Sequence, residues 1–422
     1  SPLTIRADRA AEESEYARIV QLVRTAQASK APFQRIADRY AIWFTPIALV
    51  VALGAWAFSH DATRLLAVLV VATPCPMILA TPVAMIGGID RGARRGLIFR
   101  HGGALEAVAG VTLVVMDKTG TLTLGRPEVA AVTAIPPFSE EGVLALAAAV
   151  ERGSGHELAR SVAAAAAARR IAVPDATEIR EAPGQGVLGA VEGRQVAVGS
   201  WSYLLGAAPL TRRAFAPEVT GRTGLRAFVS VDGAAAGTIR FADRARPEAA
   251  RALARLRSLG IDRMMLLSGD REAEVRSVAD ALGIADARGD TLPGDKLTVI
   301  HDLLAAGHRV AMVGDGINDA PALSAATVGV ALASGSGRIA AEAADIVLLS
   351  DDLEGIPAAI AIGRRTMRIA RESLWAGVGL SGIAMLVAAA GEIPPTVGAL
   401  LQEAIDVAVI LNALRSSTEG VP

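Results

Sequence analysis

The stretch VTLVVMDKTGTLT, residues 111–123, decides how the rest of the chain is read. An apolar, largely β-branched run bounded by turn residues is a buried strand candidate, and Asp117 stands at its carboxyl end. An aspartate there can attack a phosphoryl group and form an aspartyl phosphate, while the carbonyl and hydroxyl of Thr119 can help hold Mg²⁺ and phosphate. Gly120 permits the tight turn that follows. The arrangement recurs in RMMLLSGD, residues 263–270, and RVAMVGD, residues 309–315, each a strand candidate ending in aspartate. Open parallel sheets bind ligands outside the carboxyl ends of their strands, so three aspartates at such ends point to one site.

Outward from these strands the pattern changes twice. Between the first and second lies an insertion, about residues 129–236, with its own helices and short strands; its Ala-rich segment SVAAAAAARR, residues 161–170, is a strong helix former. Beyond the α/β stretch, four apolar runs stand in two pairs, residues 41–58 with 65–89 and residues 374–390 with 396–414. Crossing a hydrocarbon core takes about 20 residues, so each pair reads as a transmembrane hairpin. Arg35 and Arg39 precede the first pair, Arg91, Arg94, Arg95 and Arg100 follow it, and Arg364, Arg365, Arg368 and Arg371 precede the second. Arginine-rich flanks lie on the cytosolic side, which puts everything between about Arg91 and Glu372 in the cytosol.

The composition removes other classes. The chain has 422 residues, 52% of them hydrophobic, and 42 Lys plus Arg against 43 Asp plus Glu, so no net field recruits nucleic acid. One cysteine excludes a disulfide scaffold and a cysteine-cluster metal domain. The opening SPLTIRADRA has no signal-peptide pattern. Lys30, Lys118 and Lys296 are the only lysines, which makes each of them more informative than usual.

DKTGTLT, residues 117–123, resembles the phosphorylation motif of P-type cation-transporting ATPases. The partners follow in that family's order. Ser268-Gly269-Asp270 resembles its TGD element with serine for threonine, Lys296 in LPGDK stands at its phosphate-neutralising lysine, and residues 314–319 resemble its GDGxND hinge. The resemblance makes Asp117 the nucleophile, flanked by Lys118 and Thr119. Ser268 and Lys296 hold phosphoryl oxygens, Asp117, Thr119 and Asp315 assist Mg²⁺, and Asn318 and Asp319 orient phosphate, metal and loop. In the related haloacid dehalogenases a second aspartate, two residues beyond the nucleophile, serves as acid and base; here that position is Thr119, which favours a long-lived aspartyl phosphate. In the insertion, Glu151, His156, Gly184 and Gly186 match the heavy-metal subgroup's ATP-binding elements, and Gly199-Ser200 stands where that subgroup often has Gly-Asn. Glu157 replaces the proline that commonly follows the histidine.

Thr73-Pro74-Cys75-Pro76 lies inside the second apolar run, where two prolines unwind a helix beside a soft thiol. It resembles the subgroup's intramembrane metal motif in its TPC form. The last run carries Gln402, Glu403 and Asp406, the latter two expected to face roughly the same way, and intramembrane carboxylates are costly unless they meet a cation. One thiol with one or two carboxylates favours a divalent transition metal over copper(I), with cobalt, zinc, cadmium, iron, manganese and nickel left open.

The expected architecture is therefore a multidomain membrane α plus cytosolic α/β protein, with a haloacid-dehalogenase-like phosphorylation domain and an inserted α+β nucleotide-binding domain. Residues 1–40 read as an actuator-domain tail and linker helix, 41–90 as the hairpin with TPCP, and 91–128 plus 237–372 as the phosphorylation domain. Residues 129–236 form the nucleotide domain, 373–415 the second hairpin and 416–422 a cytosolic tail. The resemblance implies a multi-pass cell-membrane ATPase that exports a divalent transition-metal cation using ATP and Mg²⁺. It further implies a longer parent that supplies the actuator's dephosphorylation loop. Membrane lipid is the expected environment, and neither nucleic acid nor an obligatory protein partner is expected. A pump for another cation and a non-transporting membrane phosphatase or structural remnant stay open.

Overall fold

The computed structural model of the protein describes residues 36–73, 75–207, 224–315, 317–332 and 342–418. The expected actuator tail lies outside the described residues except where the first helix begins, as do Pro74, Gly316 and the last four residues of the tail. The Cys75 side chain lies outside them too.

Among the described residues, three helices come first, α1 (Ile36–Ser59), α2 (Ala62–Val71) and α3 (Cys75–Ala93), followed by β1 (Leu97–Phe99), α4 (Gly102–Ala109) and β2 (Leu113–Met116). A lobe then runs through β3 (Thr123–Ala134), α5 (Glu140–Glu151), α6 (Glu157–Ala168), β4 (Ala176–Ala182), β5 (Gly186–Val191), β6 (Arg194–Gly199), α7 (Trp201–Ala207), β7 (Arg226–Val231) and β8 (Ala234–Ala245). The chain rejoins the first sheet through α8 (Ala249–Ser258), β9 (Arg263–Leu267), α9 (Glu272–Leu282), β10 (Asp286–Arg288), α10 (Pro293–Ala305), β11 (Val310–Gly314), α11 (Ala320–Ala325), β12 (Val328–Leu332) and β13 (Ile346–Leu348). Helices α12 (Gly355–Ala390) and α13 (Pro395–Leu414) close the order.

The first sheet has the order β1-β13-β12-β11-β2-β9-β10, parallel throughout except where β1 meets β13. Its inner strands β12, β11 and β2 are apolar on both faces because both are covered. Val114, Met116, Leu266 and Val313 pack in one core, and Leu113, Val115, Leu267 and Met312 in another. β2 lies between β11 and β9, so the three Asp-ended strands are neighbours and their carboxyl ends open on one cleft.

The lobe is a six-stranded antiparallel sheet, β3-β8-β7-β6-β5-β4, packed on α5 and α6 through Val143, Leu144, Val162, Val198 and Val229. It reaches further than the expected 129–236. β3 starts at Thr123, directly after the phosphorylation turn, and pairs Thr123 with Ala245 at the end of β8. β3 and β8 go on pairing beyond residues 129 and 236, through Pro127 with Asp243 to Thr123 with Ala245, with bulges along the way.

Among the described residues, α12 and α13 are long and apolar enough to cross a membrane, and α1 and α2 contribute shorter apolar segments. Within the apolar run over 65–89, where the prolines are expected to unwind the helix, α2 ends at Val71, Ala72 closes it by donating to the Val68 carbonyl at 2.9 Å, and α3 starts at Cys75. Proline at position 74 has no amide N–H to give the next turn. Ala48, Ala52, Ala67, Val71, Ala384 and Ala388 let α1, α2 and α12 approach closely, while Trp43, Val50, Phe58, Leu386 and Leu400 point outward. No break separates domain from membrane at residue 373: α12 is one helix of 36 residues, about 54 Å long, rooted in the phosphorylation domain by Ile356, Ile360 and Ile362.

Candidate active site

β2 delivers Asp117 into the cleft, and the next five residues turn back tightly, with Gly120 at φ +76. A Cβ at Gly120 would fall on the Asp315 carboxylate, so glycine is required both by the left-handed conformation and by the approach of β11's end. Lys296 rises from the start of α10 and is buried, its Nζ 2.5 Å from Asp117 Oδ1 and 2.7 Å from Asp319 Oδ1. Asp319 comes from the 3₁₀ turn Ile317–Asp319 after β11, whose Asn318 is exposed at the cleft wall.

The neighbouring strand end supplies Ser268, Gly269 and Asp270. One oxygen of Asp270 receives the Thr119 hydroxyl at 2.6 Å, Lys118 Nζ at 2.9 Å and the Ser268 hydroxyl at 3.0 Å. Burial works against its ionisation, but these donors hold the Asp270 carboxyl below its ordinary range. Thr119 and Ser268 therefore have partners within the cleft, while Lys296 stands ready beside the nucleophile.

Ligand atoms of Asp117, Asp315 and Asp319 all lie within 4.8 Å of one another. Burial, and then the Asp319 carboxylate, push Asp117 up to about 7 against the pull of Lys296. The same two causes push Asp315 up to about 6. Burial alone would lower the Lys296 ammonium, but Asp117 and Asp319 outweigh it and raise it. Lys296 pairs with Asp117 and Asp319, Asp315 completes the cluster, and a divalent cation would offset the remaining negative charge. This set of hard oxygen donors fits magnesium.

Sequence reasoning missed Arg246. Its side chain is buried, with Nε 2.7 Å from the Thr121 carbonyl and Nη2 2.8 Å from the Gly120 carbonyl, so it clamps the phosphorylation turn from behind. Nη2 also pairs with Asp351 at 2.7 Å, four residues before α12 begins. In an arginine-rich chain, an arginine whose partners are distant backbone carbonyls leaves no local signature.

In the lobe, Glu151, His156, Gly184, Gly186, Gly199 and Ser200 line one cavity of about 210 Å³. His156 Nδ1 accepts the Leu158 N–H at 3.2 Å and caps α6, which fixes the ring with its other nitrogen free to donate. The glycines divide by role. A Cβ at Gly186 would meet the Val198 carbonyl, and one at Gly199 the Gln185 carbonyl, so both serve strand packing; Gly184, at φ +72, opens onto free space. Ser200 accepts the Tyr203 N–H at 3.2 Å, which occupies its hydroxyl at the start of α7.

In the membrane region, Gln402 and Asp406 are buried. Gln402 Nε2 donates to Asp406 Oδ1 at 3.0 Å, and Ser381 donates to Gln402 Oε1 at 3.2 Å. Glu403 is exposed, which corrects the expectation that it and Asp406 face together. At about 100° per residue a four-residue step falls about 40° from the starting direction and a three-residue step about 60° on the other side, so Gln402 shares the buried stripe of Asp406 while Glu403 lies past its edge. Beside the α2–α3 break, the Thr73 hydroxyl is buried with no hydrogen-bond partner.

The sequence profile of the haloacid dehalogenase-like hydrolases matches residues 111–327. A crystal structure of a zinc-transporting PIB-type ATPase in its E2.Pi state superposes with a TM-score of 0.87 at 32% identity, covering 97% of this chain and 68% of that one. The chain belongs to the heavy-metal-transporting P-type ATPases. This P-type ATPase is 42% identical to the copper-exporting P-type ATPase of Mycobacterium tuberculosis over 98% of its length, and 37% identical to the manganese-exporting P-type ATPase of Mycobacterium leprae over 94%. It spans 55% of the length of each, about half of the curated relatives it matches. It is a multi-pass membrane protein with cytosolic catalytic domains.

Proposed function

We propose that the full-length P-type ATPase exports a divalent transition-metal cation at the expense of ATP, through phosphorylation of Asp117. The observation that carries this reading is the meeting of Asp117, Ser268, Lys296 and Asp315 in one cleft of about 760 Å³, at the ends of adjacent strands. Adenine enters the cavity beside Glu151 and His156, and the γ-phosphoryl group reaches Asp117. Its carboxylate oxygen forms the bond to phosphorus as the bond to the bridging oxygen breaks and ADP departs with that electron pair. Lys296 and the Ser268 hydroxyl face the phosphoryl oxygens. Magnesium, held by Asp117, Asp315 and the Thr119 backbone, would offset the charge of the transferring phosphoryl group. Threonine at position 119 has no acid to activate water, which suits a phosphoenzyme that outlasts the transfer.

The cation reading rests on Cys75, Gln402 and Asp406, supported by the helix break, the unsatisfied Thr73 hydroxyl and the buried Gln402–Asp406 pair. Carboxylate and a single thiol favour a borderline divalent metal. Relatives named for copper, manganese and zinc leave the metal to be measured. In the full-length protein, Cys75→Ser and Asp406→Asn each reduce metal-stimulated ATPase activity by about tenfold or more, as loss of a ligand does, and Glu403→Gln reduces it less. Stimulation by copper(I) alone, or equal stimulation of all variants, overturns this substrate class.

Glu151 gives the nucleotide reading a pH signature. Burial and the Glu181 carboxylate push it up to about 7, so it is mostly protonated at pH 6 and mostly ionised at pH 8. An ionised carboxylate accepts from the adenine amino group, so ATP affinity rises by roughly tenfold across that interval, following the competent fraction. The sign is opposite for folding: a carboxyl raised in the native state costs stability as pH climbs from its unfolded value to about 7. Calorimetric titration of ATP checks the prediction, with Glu151→Gln expected to lose the pH dependence attributed to this group.

A further inference from the structure

We infer that Arg126 binds the polyphosphate of the nucleotide between the base cavity and Asp117. The proposal deepens the nucleotide reading above and rests on it. β3 and β8 fall out of register between the pairs Thr123–Ala245 and Pro127–Asp243, so residues 124–126 bulge against Arg244 alone. A bulge re-aims the side chains it carries. Gly125 takes φ +66 in this bulge and lies so close to Gly120 that a Cβ would come within 3.2 Å of the Gly120 backbone. The segment is thus seated on the phosphorylation turn, and Arg126 lines the cleft beside Asp117.

Charge accounting singles out this arginine. The positive side chains lining the cleft, among the described residues, are Lys296, Arg246 and Arg126. Lys296 is held between Asp117 and Asp319, and Arg246 between the turn carbonyls and Asp351. Arg126 is exposed and has no hydrogen bond or ion pair among the described residues. It faces a cleft otherwise rich in carboxylate, where an unengaged guanidinium matches phosphate oxygens in a fork.

The path of a nucleotide passes this point. α6 begins at the junction of the two cavities, with His156 lining the one for the base and Glu157 lining the cleft. A ligand with its base beside His156 and its terminal phosphoryl at Asp117 carries its intervening phosphates past the start of α6, across from Arg126. Lys296 serves the terminal group, which leaves Arg126 for the phosphates behind it.

Phosphoryl donors of different length test this. Acid-stable phosphorylation of Asp117 is measured on the full-length protein with ATP and with acetyl phosphate, which has no inner phosphates and no base. Arg126→Ala raises the half-saturating ATP concentration by about tenfold, Arg126→Lys by less, since a lysine keeps the charge but not the fork. Both variants retain acetyl phosphate phosphorylation within about twofold of the parent, which also reports an intact fold and nucleophile. Unchanged ATP dependence in Arg126→Ala overturns the proposal. Equal loss with both donors overturns it as well, because Arg126 then acts through the turn. If the parent itself takes no phosphate from ATP, the underlying nucleotide reading falls, and this one with it.

Discussion

Asp117→Asn abolishes the acid-stable phosphoenzyme. The variant keeps the side-chain shape and an oxygen that Lys296 can reach, but an amide is no nucleophile toward phosphorus, so incorporation of γ-phosphate falls by about a thousandfold or more. Stability and nucleotide binding change little or improve, because the substitution removes one of three clustered carboxylates while Lys296 keeps Asp319 as its partner. Radiolabel incorporation after acid quench, beside a thermal melt, reads both effects. Phosphorylation of the variant at the parent's level would falsify the nucleophile assignment.

Lys296→Met has the second large effect, and its signature is different. Methionine fills the buried volume but leaves Asp117 and Asp319 without their shared counter-charge. Removing one partner of a buried ion pair costs about 3–5 kcal/mol. Phosphorylation also falls by at least a hundredfold, because the ammonium beside the attacked phosphoryl group is gone. Adding Asp319→Asn to Lys296→Met restores part of the lost stability, since one stranded charge is removed, and restores none of the phosphorylation. A double variant that recovered both would make the lysine a structural counter-ion only.

The reach of sequence reasoning followed the range of the interactions involved. DKTGTLT was legible because strand, turn and nucleophile are contiguous, and Ser268, Lys296 and Asp315 became legible through a resemblance that orders them along the chain. The apolar runs that form α12 and α13 were legible because bilayer thickness sets a length. Arg246 was not legible, since its partners are carbonyls more than a hundred residues away, and neither was Arg126, whose direction depends on a bulge between two distant strands. The extent of β3 and β8 beyond residues 129–236 was not legible for the same reason, since pairing of Thr123 with Ala245 is a long-range fact. Gly186 and Gly199 line the lobe's cavity, and their close approach to the Val198 and Gln185 carbonyls is a further demand for glycine that only the strand pairing reveals.

Sequence by itself determined the phosphorylation strand and turn, the parallel sheet of buried apolar strands, the inserted lobe and the apolar helices, because each depends on local pattern and period. Tertiary structure alone decided that β11, β2 and β9 lie side by side, that one lysine serves two buried carboxylates, and that a single helix runs unbroken from the phosphorylation domain into the membrane segment. It alone separated Gln402 and Asp406 on the buried face from Glu403 on the exposed one. Those outcomes turn on which groups are brought within hydrogen-bonding or Coulombic reach of one another, and that is set by packing between segments, which no local stretch of chain encodes.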